Sequence, residues 1–239
     1  MQSAKLQKKS YISKASSRPV TIEDVERIVC AANEVPCTEL LKNSTNSNSS
    51  VTIDCCCYVF TVKCIHSSDL SSDEKSKIFN ILERNMKDLY IKSSWGWDGD
   101  SKLIELFAPE SRLLVCYPSQ SKQTCDIGRH ERPSSLTPSD KDPCAFVHFR
   151  FEVDARRAVL YLYEIQVLDK IRGMRLGQNL LQILYKISEV NKLTRVMLTV
   201  FKFNSSAYAF FGKNGFKVDC TDLSKEGKLA DYSIMSRRP

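Results

Sequence analysis

The chain has 239 residues, 42% of them hydrophobic, which is enough for one good-sized folded domain and argues against wholesale disorder. It carries a formal net charge of +7, and no apolar run reaches the roughly 18 residues that a membrane-spanning helix needs. The first residues also lack the apolar centre of a secretory signal, so secretion is not expected.

The positive charge is unevenly placed. Lys5, Lys8, Lys9, Lys14 and Arg18 fall in the first 18 residues, which contain no acid, and they account for +5 of the +7. The remainder is nearly neutral and lacks the dense basic face of a phosphate-tracking surface, so no direct nucleic-acid role is expected. Residues 1–18 read as a disordered basic tail. It fits a nuclear-import segment, a ribosome contact, a mitochondrial presequence or a plain solvated tail. Of ten cysteines, Cys55, Cys56 and Cys57 are consecutive and the rest are scattered without any CxxC pair. With only three histidines, no metal site is expected, and the thiols read as free in a reducing cytoplasm or nucleus.

In chain order, Thr21 opens a helix through about Val35, with Ile22, Val25, Ile28, Val29 and Ala32 near helical spacing, and Pro36 ends it. Residues 41–50 are polar and unperiodic, so a linker is predicted. Val51–Cys64 is rich in β-branched and aromatic residues and reads as a strand. Ser71 and Glu74 form a capping-box pattern ahead of a helix that aligns Ile78, Ile81, Leu82, Met86, Leu89 and Tyr90. Trp95-Gly96-Trp97 then makes either a hydrophobic plug or an aromatic wall beside a ligand, and composition favours the plug.

Residues 112–117 and 144–151 read as paired strands. Between them, 118–143 is rich in Ser, Pro and charge and is expected to be a mobile surface insertion. Residues 158–168 form a nearly continuous apolar strand, as in a sheet centre. The Gly-containing turn KIRGMRLG leads into a helix over 176–190, a strand follows over 194–201, and Asn204 caps a short helix. A last strand pair closes the chain near Ser236. The order is mixed α/β, and ligands in such sheets favour the carboxyl ends of strands facing helix N-termini.

Two segments carry chemistry. Arg172-Gly173-Met174-Arg175-Leu176-Gly177, between strand and helix, offers unpaired backbone N–H groups at a helix start, close approach at glycine, and a fixed cation. It resembles the pyrophosphate loop of GNAT acetyltransferases, although Arg175 stands where that family usually has its first glycine. Asn204, Ala207, Phe210, Phe211 and Gly215-Phe216 resemble a second GNAT motif, with Phe211 where many members place a tyrosine. The finer resemblance is to the NatD class of histone N-terminal acetyltransferases. It rests on Asn85-Met86, Tyr90, Trp95-Gly96-Trp97, His148–Val153, Leu160–Val167, Val196–Lys202 and Tyr232–Arg238, covering roughly residues 70–239.

This resemblance implies a single-domain GNAT fold over 19–239, a mixed central sheet flanked by helices with an extra N-terminal helix. It implies transfer of an acetyl group from acetyl-CoA, without a metal, to the N-terminal serine amine of histone-4 and histone-2A type tails. Cytoplasm and nucleus are the expected compartments, with no membrane role, a monomeric state, and the ribosome as a further partner. Glu164 corresponds to the general base. Tyr90, Trp95, Glu152, Tyr161, Tyr163, Thr199 and Tyr232 would surround the substrate's first residues. Ile165, Gln166 and Val167 would meet the pantetheine, Arg172, Gly173, Met174, Arg175, Leu176, Gly177 and Gln178 the diphosphate, and Asn204 the cofactor's thiol end.

The residues alone leave more open. On plain strand alternation, Tyr161 and Tyr163 share one face and Glu164 points to the other as an edge-exposed charge, unless a bulge re-aims it. Other expectations are a GNAT enzyme for lysine or small amines, a catalytically silent acyl-CoA-binding module, and a nucleic-acid binder driven by the basic tail.

Overall fold

The computed structural model describes residues 20–45, 50–55, 58–121 and 142–239. The expected basic tail lies outside the described residues, as does most of the expected insertion. The described start of that insertion is not loop: the strand before it continues through Ser121.

Helix α1 (Ile22–Glu34) starts as the sequence suggests, with Thr21 and Asp24 in a reciprocal capping box. The expected linker is corrected at its start. Helix α2 (Cys37–Thr45) runs into it, and its short amphipathic pattern, Leu40 and Leu41 fully buried among polar residues, is too brief to register as periodic. The single strand expected over Val51–Cys64 is a pair, β1 (Ser50–Cys55) and β2 (Tyr58–His66), paired antiparallel. Helix α3 (Ser72–Lys92) carries the Ser71–Glu74 capping box. A further helix, α4 (Gly99–Leu106), is capped by Asp98 accepting from the Ser101 amide.

Strands β3 (Arg112–Ser121), β4 (Ala145–Asp154) and β5 (Arg157–Val167) form an antiparallel run. After β5 come α5 (Leu176–Val190), β6 (Arg195–Phe201), α6 (Ser205–Lys213), the two-residue β7 (Lys217–Val218) and β8 (Tyr232–Arg237). The sheet order is β1-β2-β3-β4-β5-β6-β8-β7, with β5–β6 the parallel pair. That pair needs a crossover, which α5 supplies.

Two apolar layers cover the sheet. Helices α1, α2 and α5 bury Val25, Leu40, Leu41, Leu180, Leu184 and Ile187 against Phe60, Phe149, Leu160 and Leu198 on one face. Helices α3 and α4 bury Ile78, Leu82 and Leu106 against Leu113, Val115 and Phe146 on the other. The β7–β8 edge is fixed to β5 by Arg157, which donates to both carboxylate oxygens of Asp219 at 3.0 Å. Because Leu41 is fully buried where α2 meets α5, Leu41→Ala is expected to cost about 2–5 kcal/mol in urea unfolding. A loss under about 1 kcal/mol would show that α2 is not part of the cooperative core.

Candidate active site

The sheet opens at its centre. Parallel pairing of β5 with β6 runs from Val159–Arg195 to Leu162–Leu198 and stops there. Beyond it, β6 turns to β8 alone, pairing Thr199 with Ile234 and Phe201 with Tyr232. The last five residues of β5 therefore keep β4 on one side and a cleft on the other. That cleft is a cavity of about 970 Å³.

The register of β5 changes at the same point. His148 pairs with Glu164 and the next β4 residue, Phe149, pairs with Leu162, leaving Tyr163 as an extra residue. This is a β-bulge, and one added residue flips the alternation beyond it. Tyr161 and Tyr163 remain on the α3–α4 face, and Glu164 joins them instead of pointing away. The edge-exposed placement expected from strict alternation is thus corrected: Glu164 is only 6% exposed.

Its surroundings are specific. Gln166 Nε2 donates to Glu164 Oε2 at 2.7 Å, the Tyr90 hydroxyl reaches Oε1 at 3.5 Å, and Lys102 Nζ lies 3.8 Å from Oε1. Burial is the largest influence and pushes the Glu164 carboxyl up to about 6, against the opposing pull of Lys102. Lys102 is shared: it also pairs with Glu105 at 2.7 Å and lies 4.5 Å from the Tyr90 ring centroid. Burial and then Glu164 raise the Tyr90 phenol far above its ordinary range.

Aromatic side chains wall this end. Tyr90 meets Phe201 edge-on at 5.2 Å, Phe201 meets Trp95 at 5.2 Å, and Trp95 packs on Tyr232 at 4.9 Å. The tryptophan pair divides its roles. Trp95 lines the cleft and is 50% exposed, contrary to the plug reading, whereas Trp97 packs against Phe79 and Tyr90 as a plug. Tyr161 is hydrogen-bonded to Thr199 at 2.6 Å, and Tyr163 donates to Glu152 Oε1 at 2.6 Å. Tyr163 lies between His148, stacked at 4.8 Å, and the Arg150 guanidinium at 4.6 Å. Of the seven expected substrate contacts, Tyr90, Trp95, Tyr163 and Thr199 line the cavity. Tyr161, Glu152 and Tyr232 stand one contact behind them.

At the other end, the first bond of α5 runs from the Asn179 amide to the Arg175 carbonyl, so the amides of Leu176, Gly177 and Gln178 lack intrahelical acceptors. Arg175 adopts the left-handed conformation, φ 62°, that glycine would take without strain. Gly177 packs closely: a Cβ there would lie 3.3 Å from the Phe210 ring. Arg172 is held at the surface by Asp169 at 2.6 Å and by the Val167 carbonyl at 3.1 Å. Ile165, Gln166, Val167, Arg172, Gly173, Arg175, Leu176, Gly177, Gln178 and Asn204 all line the cleft. Met174 does not. Its side chain packs into the core under α5.

These groups fit a long anionic thioester. Free amides and a cation meet a diphosphate, an unpaired strand edge meets an amide-bearing arm, and the buried carboxylate stands at the far end. Sequence patterns alone assign no role to Lys102 or to the Gln166 side chain. Asp98 three residues before Ser101, followed by Leu103, Ile104 and Leu106, was the available signal for the helix that carries Lys102.

Glu164 binds a proton more tightly folded than unfolded, so stability declines as pH rises from about 4.5 through about 6. At pH 7 the buried charge is a net cost. Glu164→Gln is therefore expected to raise unfolding free energy at pH 7 by about 1–2 kcal/mol, since each tenfold change in proton affinity is worth about 1.4 kcal/mol, with little change at pH 4. Equal stability at pH 7 would mean that the carboxylate is not desolvated.

The sequence matches the family model described as Acetyltransferase (GNAT) family over residues 102–216. Among solved structures, an acetyltransferase from Streptococcus agalactiae aligns at TM-score 0.52 with 11% identity over 75% of this chain and 98% of that one. A GNAT-family acetyltransferase from Staphylococcus aureus aligns at 0.50 with 13% identity over 74% and 98%. Arabidopsis thaliana NAA60 in complex with a bisubstrate analogue aligns at 0.48 with 11% identity over 74% and 97%. At such identities the structural likeness is one of fold. The matched segment, just under half of the chain, carries β5, the free amides of α5 and α6, and the chain has the fold and the acetyl-CoA chemistry of a GNAT acetyltransferase.

Proposed function

We propose that this enzyme is an N-terminal acetyltransferase of the NatD type, acting on the serine amine of histone-4 and histone-2A type tails. The observation that carries the reading is the placement of Glu164: a buried carboxylate, titrating near 6, aimed by the β5 bulge into an aromatic-walled cleft. Acetyl-CoA supplies an activated thioester when bound. The chain's own groups do the rest. Glu164 takes the proton from the incoming ammonium, and an α-amine, with an intrinsic value near 8, yields it more readily than a lysine near 10.4.

Tyr90, Trp95 and Tyr163, backed by Tyr161 and Tyr232, form the wall that would admit a small first side chain. Glu152, oriented by Tyr163, offers negative charge to a basic residue behind it. The cleft carries no phenol at the position of Phe211, and Tyr208 is not among its lining residues. A thiolate is a fair leaving group near neutral pH, so positioning and electrostatics are the main contributions asked of the protein.

With acetyl-CoA and a peptide beginning Ser-Gly-Arg-Gly, product should form, and blocking the α-amine should abolish it. Turnover on the blocked peptide would instead indicate a lysine enzyme. Glu164→Gln should keep acetyl-CoA affinity while lowering turnover by roughly 10²-fold or more. In the wild type, kcat/KM should fall tenfold per pH unit below about 6, as Glu164 becomes protonated. A Gln variant with unchanged turnover would remove Glu164 from the mechanism.

A further inference from the structure

A second cavity, of about 580 Å³, lies where the start of α2 meets β2, and it shares no lining residue with the acetyl-transfer cleft. Cys37, Cys64 and Arg112 line it together with Lys63, His66 and Asp69. Arg112 is 4% exposed. Its guanidinium donates from Nη1 to the Asn33 side-chain oxygen at 2.9 Å and from Nη2 to the Asn33 carbonyl at 2.6 Å, while Nε has no partner. Among the described residues no carboxylate lies within ion-pairing distance of it. A buried cation so placed is costly unless an anion stands nearby.

Cys37 lines the same cavity. It is the first residue of α2, ahead of the first intrahelical bond from the Leu40 amide to the Pro36 carbonyl, so unpaired amides surround it. It is half-buried and lines the same cavity as the buried Cys64. That thiol and Arg112 hold Cys37 below the ordinary thiol range, against its burial and the charge of Asp69. Donation to Cys37 and full burial push Cys64 well up. The two thiols are pushed in opposite directions, which makes Cys37 the more acidic of the pair. Neither takes part in acetyl transfer.

We propose that Cys37 and Cys64 form a hydroperoxide-sensitive dithiol site. The Cys37 thiolate attacks the outer oxygen of a hydroperoxide. The S–O bond forms, the O–O bond breaks, and an alcohol or water leaves after taking a proton. Cys64 sulfur then attacks Cys37 sulfur, and the hydroxyl departs as water with the Cys64 proton. The two thiols have lost two electrons to the peroxide, and the new disulfide ties the start of α2 to β2.

The test uses the full chain and hydrogen peroxide. Non-reduced peptide mapping should show a Cys37–Cys64 cross-link that reductant removes. Cys64→Ser should stop the reaction at a Cys37 sulfenic acid, trapped by dimedone, and Cys37→Ser should leave Cys64 unmodified. Before oxidation, iodoacetamide at pH 7 should alkylate Cys37 roughly tenfold or more faster than the exposed Cys30 and Cys220. The wild-type alkylation ranking needs no variant to fold. Alkylation of Cys37 no faster than of those two, or peroxide treatment that leaves Cys37 a free thiol, overturns the proposal.

Discussion

A single surplus residue in β5 decides what the centre of this protein can do. Opposite β4 the strand carries Tyr163 without a partner, and everything after it is turned over. Were the same sequence to alternate strictly with no bulge, Glu164 and Gln166 would face α5 and Ile165 would face α3. The carboxylate would then sit in the apolar layer beneath the cofactor loop, with no donor to meet it. The bulge also coincides with the end of pairing between β5 and β6. Parting of the strands gives the cleft its volume, and the flipped alternation gives it a chemical group. Both effects arise within two residues.

The electrostatics follow from that placement. Glu164 has lost most of its water, and only Gln166, a long contact from Tyr90 and a shared Lys102 replace it. Had Lys102 paired closely with Glu164 alone, the carboxylate would be held low and be a poor proton acceptor. Glu105, 2.7 Å from the same ammonium, draws it away. The compromise leaves a group that is mostly ionised at neutral pH and still basic enough to take a proton. Stability is given up at the point where reactivity is gained.

Much of this was legible in the residues. The helix start at Thr21, the capping box at Ser71, the apolar stripe of α5 and the Asn204 cap all appear as patterned. So does the turn whose glycines and free amides open α5. What was hidden has a physical reason in each case. Helices α2 and α4 have only nine and eight residues, so they present two apolar turns at most and depend on tertiary packing for their existence. The bulge leaves no mark on composition, because one more apolar or aromatic residue in a strand looks like any other. Only the unusual run Tyr161-Leu-Tyr163-Glu164 hinted that alternation would fail. The shared ammonium of Lys102 required two unpredicted facts, the existence of α4 and its orientation over Tyr90.

The wall formed by Tyr90, Trp95, Phe201 and Tyr232 has a practical corollary. The chain contains two tryptophans. One lines the cleft half-exposed, and the other lies edge-on to Tyr90 directly behind it. Both indoles therefore touch the aromatic wall, and Trp95 is the one that the cleft exposes. The protein carries its own optical reporter, in which water leaving the indole of Trp95 shifts the spectrum as a peptide settles, without any added dye.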